Sequence, residues 1–186
     1  MTDVRLEFKD KKTGNKSEAE GSDGRLDVSS RTDGRPYFVS RDDSLDFLAP
    51  FEDASAAAGD YCAYIKNDDI TGKDLVVNRI TLGSANAAEF KVWVVTGTAS
   101  GTSETASSTN RNPSGSANAT VISDAVSGLT ASSELVHDAC VAGGRCVIEF
   151  GDTVRLGKDQ ALAVEYDTGT TGKCWGTIFF FFEEKF

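Results

Sequence analysis

The chain has 186 residues, a formal net charge of −10 and a hydrophobic content of 39%. This hydrophobic content is enough for one globular domain with a substantial core, and it excludes a wholly disordered chain. The acidic surplus argues against nucleic acid and anionic membranes as partners, because both repel carboxylates.

Residues 1–35 are polar and rich in turn residues, so they bury little apolar surface by themselves. Short apolar alternations at Val4, Leu6 and Phe8, and again near Leu26, suggest brief extended pieces joined by loops. We interpret this segment as an extended N-terminal arm that another protein orders, with a mobile terminus as the alternative. No basic and apolar leader is visible at its start, so we expect synthesis in the cytoplasm without secretion.

Strand-like sequence begins at Pro36, and a domain is expected over residues 36–186. The predicted strands of its first half are rich in β-branched and aromatic residues and span residues 37–39, 61–67, 75–82 and 89–96. The small residues of 53–60 predict a connection with at most one helical turn.

Residues 97–119 are rich in Ser, Thr, Gly and Asn, which predicts a long loop or a polar edge strand. Beyond them, turn residues at 127–130, 143–144 and 169–172 separate short apolar runs. Those runs predict strands at 120–123, 134–137, 145–150, 154–156, 161–166 and 173–182.

The abundance of Ser, Thr, Gly and Val, with no amphipathic helix of useful length, favours an all-β fold. About eight principal short strands separated by turns are typical of a β-sandwich or barrel. We therefore predict an eight-stranded, jelly-roll-like β-sandwich preceded by the extended arm. A Greek-key, immunoglobulin-like sandwich is the alternative.

The last predicted strand is apolar on both of its faces, although a half-buried strand alternates apolar and polar residues. One face carries Cys174, Gly176, Ile178, Phe180 and Phe182, and the other carries Trp175, Thr177, Phe179 and Phe181. The first face can fill a core, and the second needs another layer or another subunit. The strand is therefore expected at the centre of a sheet. The predicted oligomer interface consists of Trp93, Trp175, Phe179 and Phe181.

Catalytic and metal-binding patterns are weak in this sequence. The one histidine, His137, adjoins Asp138, but neighbouring residues in a strand point to opposite faces and cannot form an orienting pair. No zinc spacing, phosphate loop or dinucleotide fingerprint is present. The acidic string Asn67-Asp68-Asp69 could offer oxygen ligands to calcium, but it does not match a known calcium loop. We expect neither cofactor nor metal, and no enzyme.

Two further sets of residues leave alternatives open. Trp93 and Trp175 could form a sugar-binding platform, but core or interface packing is the preferred interpretation. Cys140 and Cys146 flank a short loop that permits a disulfide bridge. Synthesis in a reducing cytosol instead favours four free thiols.

Several blocks of the sequence together cover most of the chain after residue 24. They are Gly24–Arg31, Arg35–Asp42, Asp53–Asn67, Asp74–Ile80 with Lys91–Gly97, and Leu156–Val164 ahead of the closing aromatic strand. These blocks resemble structural proteins of tailed-bacteriophage virions.

The resemblance implies a capsid decoration (cement) or head-spike protein with a jelly-roll fold and no catalytic role. Such a protein is expected as a homotrimer on the outer surface of the virion capsid, where it bridges subunits of the major capsid protein. The arm residues Val4, Leu6, Phe8 and Leu26 would then bind the capsid. The alternative is a receptor- or glycan-binding tip module of a head or tail fibre.

Overall fold

The computed structural model describes residues 46–109 and 117–184, with side chains to residue 183, and the backbone of two short strands nearer the start. The chain divides into two compact units, Met1–Asp33 and Gly34–Phe186. In the first unit, β1 (Glu7–Lys9) pairs antiparallel with β2 (Lys16–Glu18), and Phe8 lies opposite Ser17. The other predicted arm contacts, Val4, Leu6 and Leu26, fall outside the described residues, as does the predicted strand at 37–39.

The second unit is built from strands throughout its described part, and no helix there is long and apolar enough to cross a membrane. Its strands are β3 (Asp46–Ala56), β4 (Asp60–Asn67), β5 (Lys73–Ser84), β6 (Ala88–Glu104), β7 (Ser107–Ser108), β8 (Ala119–Cys140), β9 (Arg145–Leu156), β10 (Ala161–Gly169) and β11 (Gly172–Glu184).

These strands form two antiparallel sheets packed as a sandwich. One sheet has the order β7-β3-β11-β5-β9, and the other, β10-β4-β8-β6, closes on itself as a small barrel. Apart from the two-residue β7, the eight long strands form the sets β3-β11-β5-β9 and β4-β10-β6-β8, which is the strand order of a jelly roll. The predicted all-β sandwich is confirmed, and β11 is central as expected, between β3 and β5.

The main hydrophobic core draws on both sheets. The inner face of β11 supplies the fully buried Phe180, whose ring stacks on Phe47 with centroids 5.6 Å apart and meets Phe182 edge-on at 6.0 Å. From the barrel sheet, the rings of Phe90 and Tyr166 meet edge-to-face at 5.5 Å. The sequence-predicted inner face of the last strand is therefore the one that fills the core.

The barrel closes because the long β6–β8 hairpin bends. The first part of β8 pairs with β4, and its last part pairs with the first part of β6. Gly97 and Gly128 face each other at the bend, both with positive φ, and a Cβ on either would meet the backbone of the other strand. A second, smaller cluster, centred on Tyr64 and Ala163, packs on the side of the barrel strands away from the main core.

Two local predictions were wrong. Residues 53–56 belong to β3 rather than to a connection, because Phe47, Ala49 and Phe51 bury alternate side chains and carry the strand through Pro50. The turn predicted at 127–130 lies within the continuous strand β8. Pairing with β6 provides hydrogen-bond partners for the backbone there, despite the polar sequence. Strand β6 also extends through Glu104, into the region for which a loop or edge strand was expected.

The cysteines divide into two pairs. Cys140 and Cys146 form a disulfide that ties the end of β8 to the start of β9, so the expectation of free thiols is wrong for this pair. Cys62 and Cys174 are free thiols and are fully buried in the main core. A hydrogen bond with Cys174, together with burial, raises the pKa of the Cys62 thiol well above its usual value.

Candidate interaction face

The strand register fixes which side chains share the outward side of the five-stranded sheet. Three rows across β5, β11 and β3 define it, and we call this surface the outer face. Its rows are Gly83–Trp175–Glu52, Thr81–Thr177–Pro50 and Arg79–Phe179–Leu48. Strand β9 adds Arg145, Val147 and Glu149 beside them, and Val147 is 49% exposed.

Trp175 lies directly over Gly83, and this contact requires the glycine. A Cβ at residue 83 would sit 2.6 Å from two atoms of the indole, Cε2 and Nε1. The ring helps to line a shallow, mostly apolar depression, formed by Pro50, Phe51, Glu52, Lys173, Trp175 and Gly176. On its rim the Lys173 ammonium is 2.6 Å from the Glu52 carboxylate. The depression therefore offers a flat aromatic surface edged by one charge of each sign.

Phe179 sits beneath a cation. The guanidinium carbon of Arg79 lies 4.2 Å from the centroid of the Phe179 ring, within the range of a cation–π interaction. The buried Nε of Arg79 has no hydrogen-bond partner in the described part of the chain. This region of the face thus holds a partly desolvated guanidinium on an aromatic ring.

Phe181 shares the outward side of β11 but is fully buried, in contact with the equally buried Val76. Beside these residues, Arg155 donates to the Glu183 carboxylate at 2.5 Å. The outer face therefore offers Trp175 and Phe179 for contact near its centre, while the ring of Phe181 is already enclosed by its own chain.

Trp93 lies on the other sheet, on β6, so the structure does not bring it together with Trp175. Its indole N–H donates to Glu165 at 2.5 Å, and its ring packs against the second cluster around Ala163. The two tryptophans consequently cannot form one common sugar-binding platform.

His137 does not pair with its neighbour Asp138. Its Nε2 instead lies 3.2 Å from Glu89 and 3.8 Å from Asp167, which come from two other strands. No sequence spacing reveals this arrangement, because it depends on the order of strands in the barrel sheet.

Asp69, from the acidic string considered for calcium, is buried and already satisfied. Its carboxylate accepts hydrogen bonds from the backbone N–H groups of Thr71 and Lys73, from the Thr71 hydroxyl and from Asn118. Burial alone would raise the pKa of this carboxyl, but the hydrogen bonds outweigh it, so the pKa is lowered. Asp69 therefore stabilises the turn between β4 and β5.

Leu48, Pro50 and Val147 of the outer face were missed from the sequence. The alternation of residues 46–52 could have indicated β3, but Pro50 obscured it. Comparison of the chain with protein families, with curated proteins and with solved structures gave no match.

Proposed function

We propose that the chain is a non-enzymatic structural protein of a tailed-bacteriophage virion, which decorates and stabilises the head from outside. The observation that carries this proposal is the outer face, where the central strand of a jelly roll presents Trp175 and Phe179 away from its own core. The resemblance noted in the sequence supports the same role, with the major capsid protein as partner.

The outer face is the surface that we propose for self-association, most simply as a homotrimer. Aromatic side chains and arginine are the residues most enriched in the buried centres of protein interfaces. Phe179 and Arg79 share one row here, and Trp175 lies two rows away along β11, beyond the row that holds Thr177 and Pro50. Burying this apolar surface would contribute roughly 25 cal/mol per Å², less the cost of ordering the side chains.

The first unit of the chain, residues 1–33, is proposed as the part that reaches the capsid. Several such arms on one oligomer would multiply weak individual contacts through their high effective concentration. A decoration protein of this kind holds neighbouring capsid subunits together across junctions that the packaged DNA strains.

Cosedimentation with purified head shells tests the proposal. We expect the full chain to sediment with the shells, and a chain lacking residues 1–33 to remain folded and oligomeric but stay in the supernatant. Circular dichroism and sedimentation of the truncated chain provide the control for folding. Undiminished binding by the truncated chain would rule out a capsid-binding role for residues 1–33. No binding by the full chain would rule out the decoration function.

A receptor- or glycan-binding tip is the second candidate, and one observation favours it. The indole of Trp175 forms part of an open depression beside Glu52 and Lys173, and sugars stack their C–H faces on indole while their hydroxyls bind such charged groups. On a glycan array this candidate predicts binding that Trp175→Ala abolishes and that Trp93→Phe leaves intact.

A further inference from the structure

We infer that the barrel sheet carries a binding site for a divalent transition-metal ion, with Zn²⁺ as the best match, formed by Glu89, His137 and Asp167. These residues come from β6, β8 and β10, and one ligand-type atom from each lies within 4.8 Å of the other two. The donor set joins an imidazole nitrogen with two carboxylate oxygens, all of them ligand types that zinc accepts.

The distances from the histidine nitrogen to the two carboxylate oxygens fit a shared ion. Zinc bonds to nitrogen and oxygen are about 2.1 Å long, so two donors on one tetrahedral ion lie about 3.4 Å apart. His137 Nε2 lies 3.2 Å from Glu89 Oε2 and 3.8 Å from Asp167 Oδ2, on either side of that value. The Glu89 and Asp167 oxygens lie within 4.8 Å of each other, so a bound ion would draw these two carboxylates toward it.

A β-bulge positions the third proposed ligand, Asp167. The pairing between β10 and β6 shifts register between Tyr166 and Thr168, so Asp167 is left without a direct partner. Bulges re-aim side chains, and they recur beside functional sites. Here the bulge sets the Asp167 carboxylate next to His137, whose own cross-strand partner is Lys91.

Lys91 orients the aspartate instead of blocking it. Its ammonium lies 2.8 Å from Oδ1 of Asp167, and the other oxygen, Oδ2, is the one turned toward His137. Ligating carboxylates are commonly held by such a hydrogen bond through their second oxygen. The carboxylates of Glu134 and Glu165 also act on Lys91, so negative charge prevails around the site.

The site is open enough for an ion to enter. The side chains of His137 and Glu89 are 41% and 47% exposed, and that of Asp167 is 19% exposed. Water would complete the coordination, as in other zinc sites that have three protein ligands. A bound ion would fasten three barrel strands at the end where β6 begins and β10 ends.

Isothermal titration of the chelator-treated full chain with Zn²⁺ tests the site. We expect one ion per chain, a higher melting temperature with zinc, and affinity lowered by more than about tenfold in both His137→Ala and Asp167→Asn. The matched control is Asp159→Asn, which removes a carboxylate from the β9–β10 turn and should bind zinc like the wild type. Melting of each variant without zinc establishes that it folds.

Three outcomes would overturn the inference. They are the absence of saturable binding by the wild-type chain, equal binding by His137→Ala, and an equal loss of affinity in Asp159→Asn. The last two would mean that zinc binds the acidic surface without a defined site. None of these results bears on the binding of head shells, which is tested separately.

Discussion

The two tryptophans of this chain lie on opposite sheets and differ in their contacts with the rest of the chain. The indole N–H of Trp93 donates to Glu165, and its ring packs on the second cluster. Trp175 lies over Gly83, lines an open depression, and has no hydrogen-bond partner for its N–H in the described part of the chain. The same residue type thus serves internal packing on one sheet and is available for contact on the other.

The two sheets also differ in what covers the side that faces away from the main core. The β6–β8 hairpin bends over the barrel strands, so Ala99, Ile122 and Leu129 help to cover their far side. On the five-stranded sheet, the contacts of β11 within the described part of the second unit are chiefly with its sheet neighbours β3 and β5. Within the described part of the second unit, the outer face is therefore the natural place to look for a partner.

The largest effect is expected from the inner face of β11. Phe180→Ala removes a fully buried ring that stacks on Phe47, and should lower the free energy of unfolding by about 3–5 kcal/mol. Phe179→Ala, one residue away on the outer face, should lower it by only about 1 kcal/mol, chiefly through its contact with Arg79. Urea denaturation measures both, and equal losses would refute the assignment of the faces.

The disulfide between the two sheets comes next. Replacing Cys140 and Cys146 by serine opens a short loop, which should lower the free energy of unfolding by about 2 kcal/mol. Chemical denaturation of the double variant gives the value. Thiol labelling of the unfolded wild-type chain serves as the control and should detect two free cysteines, Cys62 and Cys174. Four labelled cysteines would show that the bridge is not formed.

The tryptophans themselves should respond differently to the same conservative change. Trp93→Phe loses the hydrogen bond to Glu165 and should lower the free energy of unfolding by about 1–2 kcal/mol. Trp175→Phe loses no hydrogen bond within the described residues and should change that free energy by less than about 0.5 kcal/mol. Denaturation at low protein concentration keeps association out of both values. A larger loss of unfolding free energy in Trp175→Phe than in Trp93→Phe would contradict the proposed difference between the two tryptophans.

A smaller loss than that of Trp93→Phe is expected at Asp69, whose lowered pKa makes its contribution depend on pH. Asp69→Asn should lower the free energy of unfolding by about 1 kcal/mol at neutral pH, since Lys73 and Thr71 lose a charged acceptor. A carboxyl whose pKa is lowered by folding stabilises above its unfolded value of about 3.9. The difference between wild type and variant should therefore shrink as the pH falls below 3.9 toward the folded pKa. A difference in unfolding free energy that stays constant through this pH range would contradict the lowered pKa of Asp69.

Much of the sandwich could be predicted from the sequence because its signals are local. The doubly apolar last strand indicated a central position, and its pairing with β3 and β5 confirms that position. Strand β8 could not be predicted as one element, because Ser127 and Gly128 carry turn signals that its pairing with β6 overrides.

The candidate site was only partly predictable, for a related reason. Alternation along β11 assigned Trp175 and Phe179 to one face, and the register confirms that assignment. Alternation does not say which sheet a strand joins, so Trp93 was grouped with them although it lies on the other sheet. The proximity of Glu89, His137 and Asp167 likewise depends on strand order.

Sedimentation velocity tests the central claim most directly, namely that the outer face of the five-stranded sheet binds a second copy of the chain. We expect the wild-type chain to sediment as an oligomer, most simply a trimer, and the double variant Trp175→Ala with Phe179→Ala to sediment as a folded monomer. Ile70→Ser removes an 84% exposed apolar side chain from the β4–β5 turn and should leave the oligomer intact. A monomeric wild-type chain, or an oligomer that survives the double substitution, would contradict the claim.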